Sequence, residues 1–154
     1  MARVLIVGCG GRGQALGRDL VAAGHAVRGS SRDPRRELAM REAGVEPYVG
    51  DPDRIATLMD ALYGTTIVCW LMATADNPEL HAGRLRMLCE KLVDTPVRGL
   101  VYEAAGPAAA GIPIVDDART RWNMPVEVVA TEPEACEDWT RDMAAAVGRL
   151  LSPR

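Results

Sequence analysis

Apolar positions along the chain fall into short unbroken runs that alternate with stretches of helical spacing. Residues 3–7 form a run that is rich in branched residues and is stopped by glycines, which predicts a strand. Residues 66–71 form a second run without charge, which is typical of a strand covered on both faces. By the same reasoning, further strands are predicted at residues 26–29, 45–49, 99–102 and 126–130.

Between these runs, apolar residues recur at every third or fourth position, and this spacing predicts helices. In the first helix, at residues 14–23, the apolar side chains of Ala15, Leu16, Leu20 and Ala23 share one face. Residues 104–111 consist only of alanine, glycine and proline, which predicts a flexible loop or a short irregular connection. Further helices are predicted at residues 34–43, 52–62, 78–93 and 115–122.

Two helix starts carry recognisable capping signals. Asp33 is a typical N-cap residue, and Pro34 suits the first helical position that follows it. Thr131 and Glu134 match the capping-box pattern, so we expect the last helix to begin there. The residues of this last helix that we expect to be buried are Cys136, Trp139, Met143, Val147 and Leu150.

Strand and helix therefore alternate along the whole chain, in six strand–helix units. This order is typical of parallel sheets. We predict an α/β fold with a doubly wound, mostly parallel sheet of about six strands and helices on both faces, the Rossmann architecture. The length of 154 residues fits one domain, so residues 1–154 are expected to form a single domain.

A glycine motif, Gly8-x-Gly10-x-x-Gly13, lies between the first strand and the first helix. In this context Gly8 allows a tight turn, Gly10 lets the backbone approach a pyrophosphate, and Gly13 lets the helix pack closely on the strand. The helix N-terminus offers free N–H groups and a positive dipole end to phosphates. The motif predicts a dinucleotide site that includes Gly11 and Arg12; the alternative is a glycine-rich turn without a ligand.

The end of the second predicted strand bears on the choice of dinucleotide. An NAD site has an acidic residue there, whereas this chain has Ser30, Ser31 and Arg32, with Arg35 and Arg36 close behind. Hydroxyl groups and a guanidinium suit a 2′-phosphate, so NADP is predicted in preference to NAD. The alternative is a solvated basic helix start.

Asp51 follows the third predicted strand, and two roles remain open for it. Its carboxylate is a suitable acceptor for the adenine amino group of a dinucleotide. It is equally suited to cap the next helix, with Pro52 at the first helical position. The two roles do not exclude each other.

Composition excludes several other classes of function. A net charge of -3 gives no overall attraction to nucleic acid or to an anionic membrane, and no run of aromatic residues could stack on bases. The four cysteines lack C-x-x-C spacing, which favours buried thiols in a reducing compartment over metal ligands or disulfides. We expect no signal peptide, no membrane span and no metal, and therefore a cytoplasmic protein.

Three segments, residues 4–20, 23–32 and 44–51, together resemble the atypical short-chain dehydrogenase/reductases, in particular the branch related to NAD-dependent epimerases and dehydratases. The resemblance extends over roughly residues 3–75. It implies that the three motif glycines line the pyrophosphate and that Ser31 and Arg32 face the phosphate of the adenosine ribose. It also implies that Asp51 faces adenine and that Leu71, Met72 and Ala73 border the riboses.

The chain departs from this family where the family's catalytic residues lie. No Tyr-x-x-x-Lys pair exists, because Met87 stands four residues before Lys91, the only lysine. Glu103 replaces the serine that is usual after the fifth strand. The chain also ends soon after the sixth strand, so we expect the substrate-binding extension to be reduced or missing. Carbonyl reduction by a tyrosine–lysine pair is therefore not expected.

Polar residues at the carboxyl ends of the fourth and fifth strands are the remaining catalytic candidates. Thr74, Asp76 and Glu103 lie there, where ligands bind in such sheets. Each has a structural alternative: Asp76 or Asn77 as a helix cap, and Glu103 as a partner of an arginine. We expect His81 to be a surface histidine and Tyr102 to serve in packing.

Three hypotheses for the function follow. The first is a small NADP-dependent oxidoreductase with a non-standard active site, which acts on an unidentified small molecule. The second is a non-catalytic NADP-binding redox sensor or regulatory protein, and the third is a ligand-free scaffold. A homodimer is a further prediction, with the helix around Trp139 as a possible contact surface.

Overall fold

Our computed structural model describes residues 2–152, which contain one six-stranded sheet in the order β3-β2-β1-β4-β5-β6. All neighbouring strands are parallel. This arrangement confirms the predicted doubly wound fold. The strands are β1 Arg3–Val7, β2 Ala26–Ser31, β3 Glu46–Val49, β4 Ile67–Trp70, β5 Gly99–Glu103 and β6 Val126–Val129.

Helices connect the strands, and four of them are preceded by a 3-10 turn. The helices are α1 Gly11–Ala22, α2 Glu37–Glu42, α3 Met59–Tyr63, α4 Gly83–Leu92, α5 Ile112–Trp122 and α6 Cys136–Leu151. The 3-10 turns are Pro34–Arg36, Ile55–Leu58, Pro78–His81 and Gly106–Gly111. The last of these occupies the segment that was predicted to be a loop or an irregular connection.

The sheet separates two apolar cores. Along β1, Val4 and Ile6 belong to the core beneath α1 and α6, whereas Leu5 and Val7 belong to the core beneath α3, α4 and α5. Successive side chains of a strand point to opposite faces, so an unbroken apolar strand supplies both cores. Trp139 of α6 is 1 % exposed and lies in the first of these cores.

The strand order reverses beside β1, because the chain moves outward to β2 and β3 and then returns to β4 on the other side. Val7 at the end of β1 pairs in register with Ser30 of β2 and with Trp70 of β4. The three strands therefore end at the same level. This brings the glycine turn, the end of β2 and the segment after β4 to one edge of the sheet.

The predicted start of the third helix is wrong. Oδ1 of Asp51 accepts a hydrogen bond from the N–H of Asp53 at 2.9 Å, and the N–H of Asp51 donates to Oγ1 of Thr57 at 2.8 Å. These local bonds stabilise a turn in place of a helix. The 3-10 turn begins only at Ile55, and Asp51 is not the residue that caps it.

The predicted capping box of the last helix is also wrong. The hydroxyl of Thr131 donates to Oδ2 of Asp142 at 2.5 Å, and α6 begins at Cys136 without a side-chain cap. Cys136 is exposed, contrary to the prediction, because it lies in the first turn and faces solvent. Leu150 is only partly buried.

Other helix starts follow their sequence signals more closely. Oδ1 of Asp33 accepts from the N–H of Arg35, and Oδ1 of Asn77 accepts from the N–H of Glu79, so both residues are caps. His81 is not at the surface as predicted, since it is 3 % exposed at the end of the Pro78–His81 turn. The predicted helix at 78–93 is interrupted at Ala82, whose φ of -137° and ψ of -108° are not helical.

Candidate functional site

An open cleft of about 1110 Å³ runs along the carboxyl ends of the strands, at the point where the strand order reverses. Ligand sites in proteins commonly have volumes of about 300–1,000 Å³, so the cleft has room for a large ligand. Its walls come from the segments that follow β1, β2, β3 and β4. They comprise residues 8–13, 30–36, 50–53, 71–72, 74–77 and 80.

The first wall is the glycine turn, and Gly8 has a backbone conformation that requires glycine. Its φ is +88°, and a Cβ atom there would lie 2.6 Å from the carbonyl oxygen of Leu71. The N–H of Gly8 donates to Oγ of Ser30 at 3.3 Å, and the N–H of Cys9 donates to the carbonyl oxygen of Ser30 at 2.9 Å. The end of β2 thus holds the turn in place.

Helix α1 leaves this turn pressed against the sheet. A Cβ atom on Gly13 would lie 3.1 Å from Cγ2 of Ile6, so a larger residue would push the helix outward. The N-cap of α1 is Gly10, and no side chain caps the helix. The first-turn N–H groups of a helix without a cap can bind an anion, and the macrodipole adds to this attraction. These features fit a pyrophosphate.

Three arginines line the second wall, after β2, and they differ in their partners. Nε of Arg35 forms an ion pair with Oδ1 of Asp33 at 3.0 Å. Arg32 is exposed, and Nη1 of Arg36 lies 2.5 Å from the position that a Cβ on Gly10 would occupy. Within residues 2–152, neither Arg32 nor Arg36 forms an ion pair, so both guanidinium groups can bind an anionic ligand.

The predicted serines and Asp51 all line the cleft, and each already has a structural hydrogen bond. Ser30 is buried under the glycine turn, as described above. Oγ of Ser31 accepts from the N–H of Asp33 at 3.0 Å. Leu71 and Met72 also line the cleft, whereas Ala73 lies behind it and is 7 % exposed.

A buried carboxylate, Glu103, lies beside the cleft at the end of β5. Its side chain is fully buried and forms an ion pair with Nη1 of Arg12. Its Oε1 accepts from the N–H of Ala73 at 2.9 Å, and its Oε2 accepts from Nε1 of Trp139 at 2.8 Å. Glu103 therefore connects α1, the segment after β4, and α6.

Arg12 is held on three sides. Besides its bond to Glu103, its Nη2 donates to Oγ1 of Thr74 at 3.2 Å. Its Cζ lies 5.0 Å from the ring centroid of Trp139, within range of a cation–π interaction. The Arg12 side chain is 23 % exposed and lines the cleft.

Of the three catalytic candidates, Thr74 and Asp76 line the cleft and Glu103 does not. Tyr102 serves in packing as predicted, because it is fully buried and its hydroxyl donates to the carbonyl oxygen of Ala108 at 2.7 Å. Burial raises the pKa of the Tyr102 hydroxyl well above its usual range. Burial also raises the pKa of the Cys9 thiol to about 12, so this cysteine of the glycine turn stays protonated.

Two residues of the site were missed from the sequence. Arg36 was noted among nearby basic residues but was not assigned to the site, although its position four residues after Arg32 could have suggested it. Trp139 was predicted to pack in the core or to lie on a dimer contact surface, and it was not assigned to the site. No local signal could have found its contact with Glu103, because 36 residues separate the two.

No helix within residues 2–152 has the length and apolar character that a membrane span requires. The same described part of the chain contains no group of three or more histidine, cysteine or acidic residues arranged to hold a metal ion.

Comparison with known proteins gives one family match, to the TrkA-N domain, over residues 4–94. Among solved structures, the triphenylmethane reductase of Citrobacter sp. complexed with NADP(H) matches with a TM-score of 0.69 at 17% identity. That match covers 84% of this chain and 49% of the reductase, so the chain spans about half the length of that protein.

Two further solved structures match nearly the whole chain. An NADPH-dependent quinone oxidoreductase of Escherichia coli has a TM-score of 0.66 at 15% identity, covering 98% of this chain and 64% of that protein. A protein of Aeromonas hydrophila assigned to the short-chain dehydrogenase/reductase family as an oxidoreductase has a TM-score of 0.65 at 17% identity. That match covers 100% of this chain and 93% of that protein, and at these identities all three matches establish a shared fold.

Proposed function

The chain belongs to the TrkA-N domain family and is an NAD(P)-binding Rossmann domain, and from this we propose that it is an NADP-dependent oxidoreductase. The single observation that carries the preference for NADP is the pair of arginines, Arg32 and Arg36, that face the cleft without a carboxylate partner. The match to the family supports dinucleotide binding but does not separate NADP from NAD. The proposal therefore depends on the residues of the second wall.

In the proposed complex, the pyrophosphate binds at the N-terminus of α1, where no side chain caps the first-turn N–H groups. The adenosine 2′-phosphate binds between Arg32 and Arg36, because a guanidinium forms strong charge-assisted hydrogen bonds with phosphate. Arg35 contributes less, since its charge is offset by Asp33.

The rest of the cofactor follows from these two anchor points. In this proposal, adenine lies near Asp51. Oδ1 of Asp51 accepts from the N–H of Asp53, and the other carboxylate oxygen is available for the adenine amino group. Since a dinucleotide lies across the switch point, its nicotinamide half extends toward the ends of β4 and β5. Leu71, Met72 and Thr74 would border it there.

A bound reduced nicotinamide supplies a hydride, and the protein supplies binding and orientation. Near the ends of β4 and β5, the side chains that line the cleft with polar groups are Arg12, Thr74, Asp76 and Asn77. None of these side chains is a tyrosine, a histidine or a lysine that could donate a proton to a reduced carbonyl. We therefore propose acceptors that need no acid from the protein, such as quinones, flavins or cationic dyes. The names of two structural neighbours, a triphenylmethane reductase and a quinone oxidoreductase, agree with this choice.

Oxidation of NADPH in the presence of quinones, flavins, a triphenylmethane dye and aldehydes tests the catalytic part of the proposal. We expect turnover with at least one of the first three classes and none with simple aldehydes. Firm NADPH binding without any turnover would contradict the oxidoreductase proposal and would favour a redox sensor. The homodimer and the cytoplasmic location remain predictions, which sedimentation and cell fractionation would test.

The choice of cofactor is tested by titration with NADP and NAD. We expect tighter binding of NADP, and Arg32→Ala should weaken NADP binding by roughly 1.5–3 kcal/mol, the value of a hydrogen bond to a charged group. Arg36→Ala should have an effect of similar size. Neither substitution should change NAD binding by a comparable amount, because NAD lacks the 2′-phosphate.

Arg41→Ala is the matched control, because Arg41 is an exposed arginine of α2 that lies outside the cleft. It removes the same charge and should leave both affinities unchanged. Equal affinity of the wild-type protein for NADP and NAD would show that the assignment is wrong. Unchanged NADP binding in both Arg32→Ala and Arg36→Ala would show the same.

A further inference from the structure

The ion pair between Arg12 and Glu103 is costly for the protein to maintain. The Glu103 carboxylate is fully buried, and removing a carboxylate from water is unfavourable unless several donors replace the water. Three donors do so here: Arg12, the N–H of Ala73 and the indole N–H of Trp139. An apolar residue at position 103 would avoid the whole arrangement, and a buried ion pair is by itself weak evidence for stability. This points to a role other than stability.

The pair also lies at a defined end of the cleft. Arg12 reaches toward β5 and contacts Thr74 after β4, whereas Arg32 and Arg36 line the opposite end, after β2. If the 2′-phosphate binds at the arginine end, the nicotinamide half of the cofactor lies at the Arg12 end. Arg12 is the only cationic side chain among the described residues that line this end.

We infer that the Arg12–Glu103 pair sets the relative affinity of the site for the oxidised and reduced forms of NADP. This inference rests on the proposed function, since it requires that NADP binds in the cleft. In this role Glu103 is a positioning residue. Its carboxylate holds the Arg12 guanidinium in place and offsets the positive charge that the guanidinium would otherwise exert on the nicotinamide ring.

The physical reason is the charge of the ring. NADP⁺ carries one positive charge on its nicotinamide ring that NADPH lacks, and the two forms have the same phosphates. Any effect of Arg12 on the phosphates therefore cancels in the ratio of the two dissociation constants, Kd for NADP⁺ divided by Kd for NADPH. In the wild-type protein the Arg12–Glu103 pair has no net charge. Removing one partner leaves a single charge near the ring and should change this ratio.

The experiment measures both dissociation constants by calorimetric titration in the wild-type protein and in variants. Glu103→Gln leaves the guanidinium uncompensated, so the ratio should rise about fivefold, because two like charges several ångströms apart at a partly solvated site repel by this order. Arg12→Met removes the positive charge and leaves the Glu103 carboxylate with the N–H groups of Ala73 and Trp139, so the ratio should fall. The double variant has neither charge, and its ratio should return to within about twofold of wild type.

Glu127→Gln is the matched control, because it breaks an ion pair with Arg149 at the surface, outside the cleft. It should leave the ratio unchanged. Adenosine 2′,5′-bisphosphate lacks the nicotinamide ring, so any change in its dissociation constant measures the effect of a substitution on phosphate binding alone. Circular dichroism and thermal melting identify any variant that does not fold. Arg12→Met provides an independent test if Glu103→Gln is unfolded, because the Arg12 side chain is partly exposed.

Two failures can be told apart. If the wild-type protein binds neither NADP⁺ nor NADPH, the proposed function is wrong. If both bind and the ratio is the same in folded Glu103→Gln, Arg12→Met and wild type, the proposed function stands and this inference is overturned. A ratio that moves in the same direction in both single variants would also overturn it, because the two substitutions leave opposite charges.

Discussion

Two buried polar side chains near the end of β5 differ in whether their polar atoms have hydrogen-bond partners. Glu103 accepts hydrogen bonds from three donors, as described above. His81 is 3 % exposed, and both of its ring nitrogens are buried without a partner, the only such side-chain atoms within residues 2–152. Burial lowers the pKa of His81, because the imidazolium would lose its hydration, and the nearby charge of Glu103 offsets part of this effect.

The lowered pKa of His81 predicts a dependence of stability on pH. The unfolded chain takes up a proton near pH 6.5 whereas the folded protein does so only at lower pH, so unfolding is favoured as the pH falls below about 6.5. When the pH is lowered from 7.5 to 5.5, protonation of His81 in the unfolded chain should lower the free energy of unfolding of the wild-type protein by up to about 1 kcal/mol. His81→Leu should remove this loss. Urea denaturation at the two pH values measures it.

His25→Gln is the matched control for this measurement, because Nδ1 of His25 accepts a hydrogen bond from the N–H of Ala2, in contrast to the unpartnered His81. We expect His25→Gln to retain the extra loss of stability at pH 5.5. Parallel pH dependences in the wild-type protein and His81→Leu would show that His81 does not contribute.

At the scale of elements, α1 is the helix whose position the site depends on most. It packs close to the sheet because its inward face carries Gly13 and Gly17. A Cβ atom on Gly17 would collide with Cγ2 of Val45, and one on Gly13 would contact Ile6. The small residues therefore set the distance between the helix and the sheet, and with it the place of the helix N-terminus in the cleft.

Gly17→Ala tests this packing. Alanine favours the helix by up to about 1 kcal/mol, but the added methyl group overpacks the interface with Val45, at a cost of about 1–3 kcal/mol. We expect a net loss of stability in urea denaturation together with weaker cofactor binding. Gly148→Ala in α6 is the control: a Cβ there meets nothing within 4 Å, so this variant should gain stability. A stabilised Gly17→Ala variant with normal binding would contradict the argument.

The central strands β1 and β4 could be predicted closely from the sequence because burial on both faces leaves a direct signal. The bounds predicted for β1 are those observed, and β4 differs by one residue at each end. Helix starts were harder. Asp51 accepts from the N–H of Asp53 as a cap would, but the 3-10 turn begins only at Ile55, and the hydroxyl of Thr131 donates to Asp142. A capping pattern specifies one local hydrogen bond, whereas the tertiary structure determines which bond the side chain makes and whether a helix follows.

The site likewise contains residues that local sequence motifs predict and contacts that they do not predict. The glycine turn, Ser31 and Arg32 follow from short motifs, and the structure brings them to one cleft. The link between Arg12 and Glu103 spans 91 residues, so no local pattern contains it. Sequence reasoning gave Glu103 an arginine as a possible partner but could not identify which one.

At the scale of the whole molecule, the cleft draws its walls from both halves of the sheet. The segments after β1, β2 and β3 form one end, and the segment after β4, with Arg12 reaching across to it, forms the other. A ligand that contacts both ends binds only when both halves are folded. Such a ligand stabilises the entire domain, because it binds the native state and not the unfolded chain.

NADPH should therefore raise the free energy of unfolding of the whole chain. At a free concentration of one hundred times its Kd, the increase should be about 2.7 kcal/mol. Urea denaturation with and without NADPH measures it, and the slope of the free energy against urea should not change, since the surface exposed on unfolding is the same. NAD at the same concentration should stabilise less. Absence of any stabilisation by NADPH would contradict binding to the native state.

The contacts of Glu103 also have a consequence for the order in which the protein is assembled. Arg12 emerges from the ribosome long before its partner, and at about 5–20 residues per second several seconds pass before Glu103 and then Trp139 have been synthesised. The glycine turn can form early in the nascent chain, but the Arg12 guanidinium has no partner until Glu103 of β5 and Trp139 of α6 have been synthesised. Maturation of the ligand pocket is thus a late event of biogenesis, and we expect nascent chains that end before α6 to be handled by chaperones as incomplete.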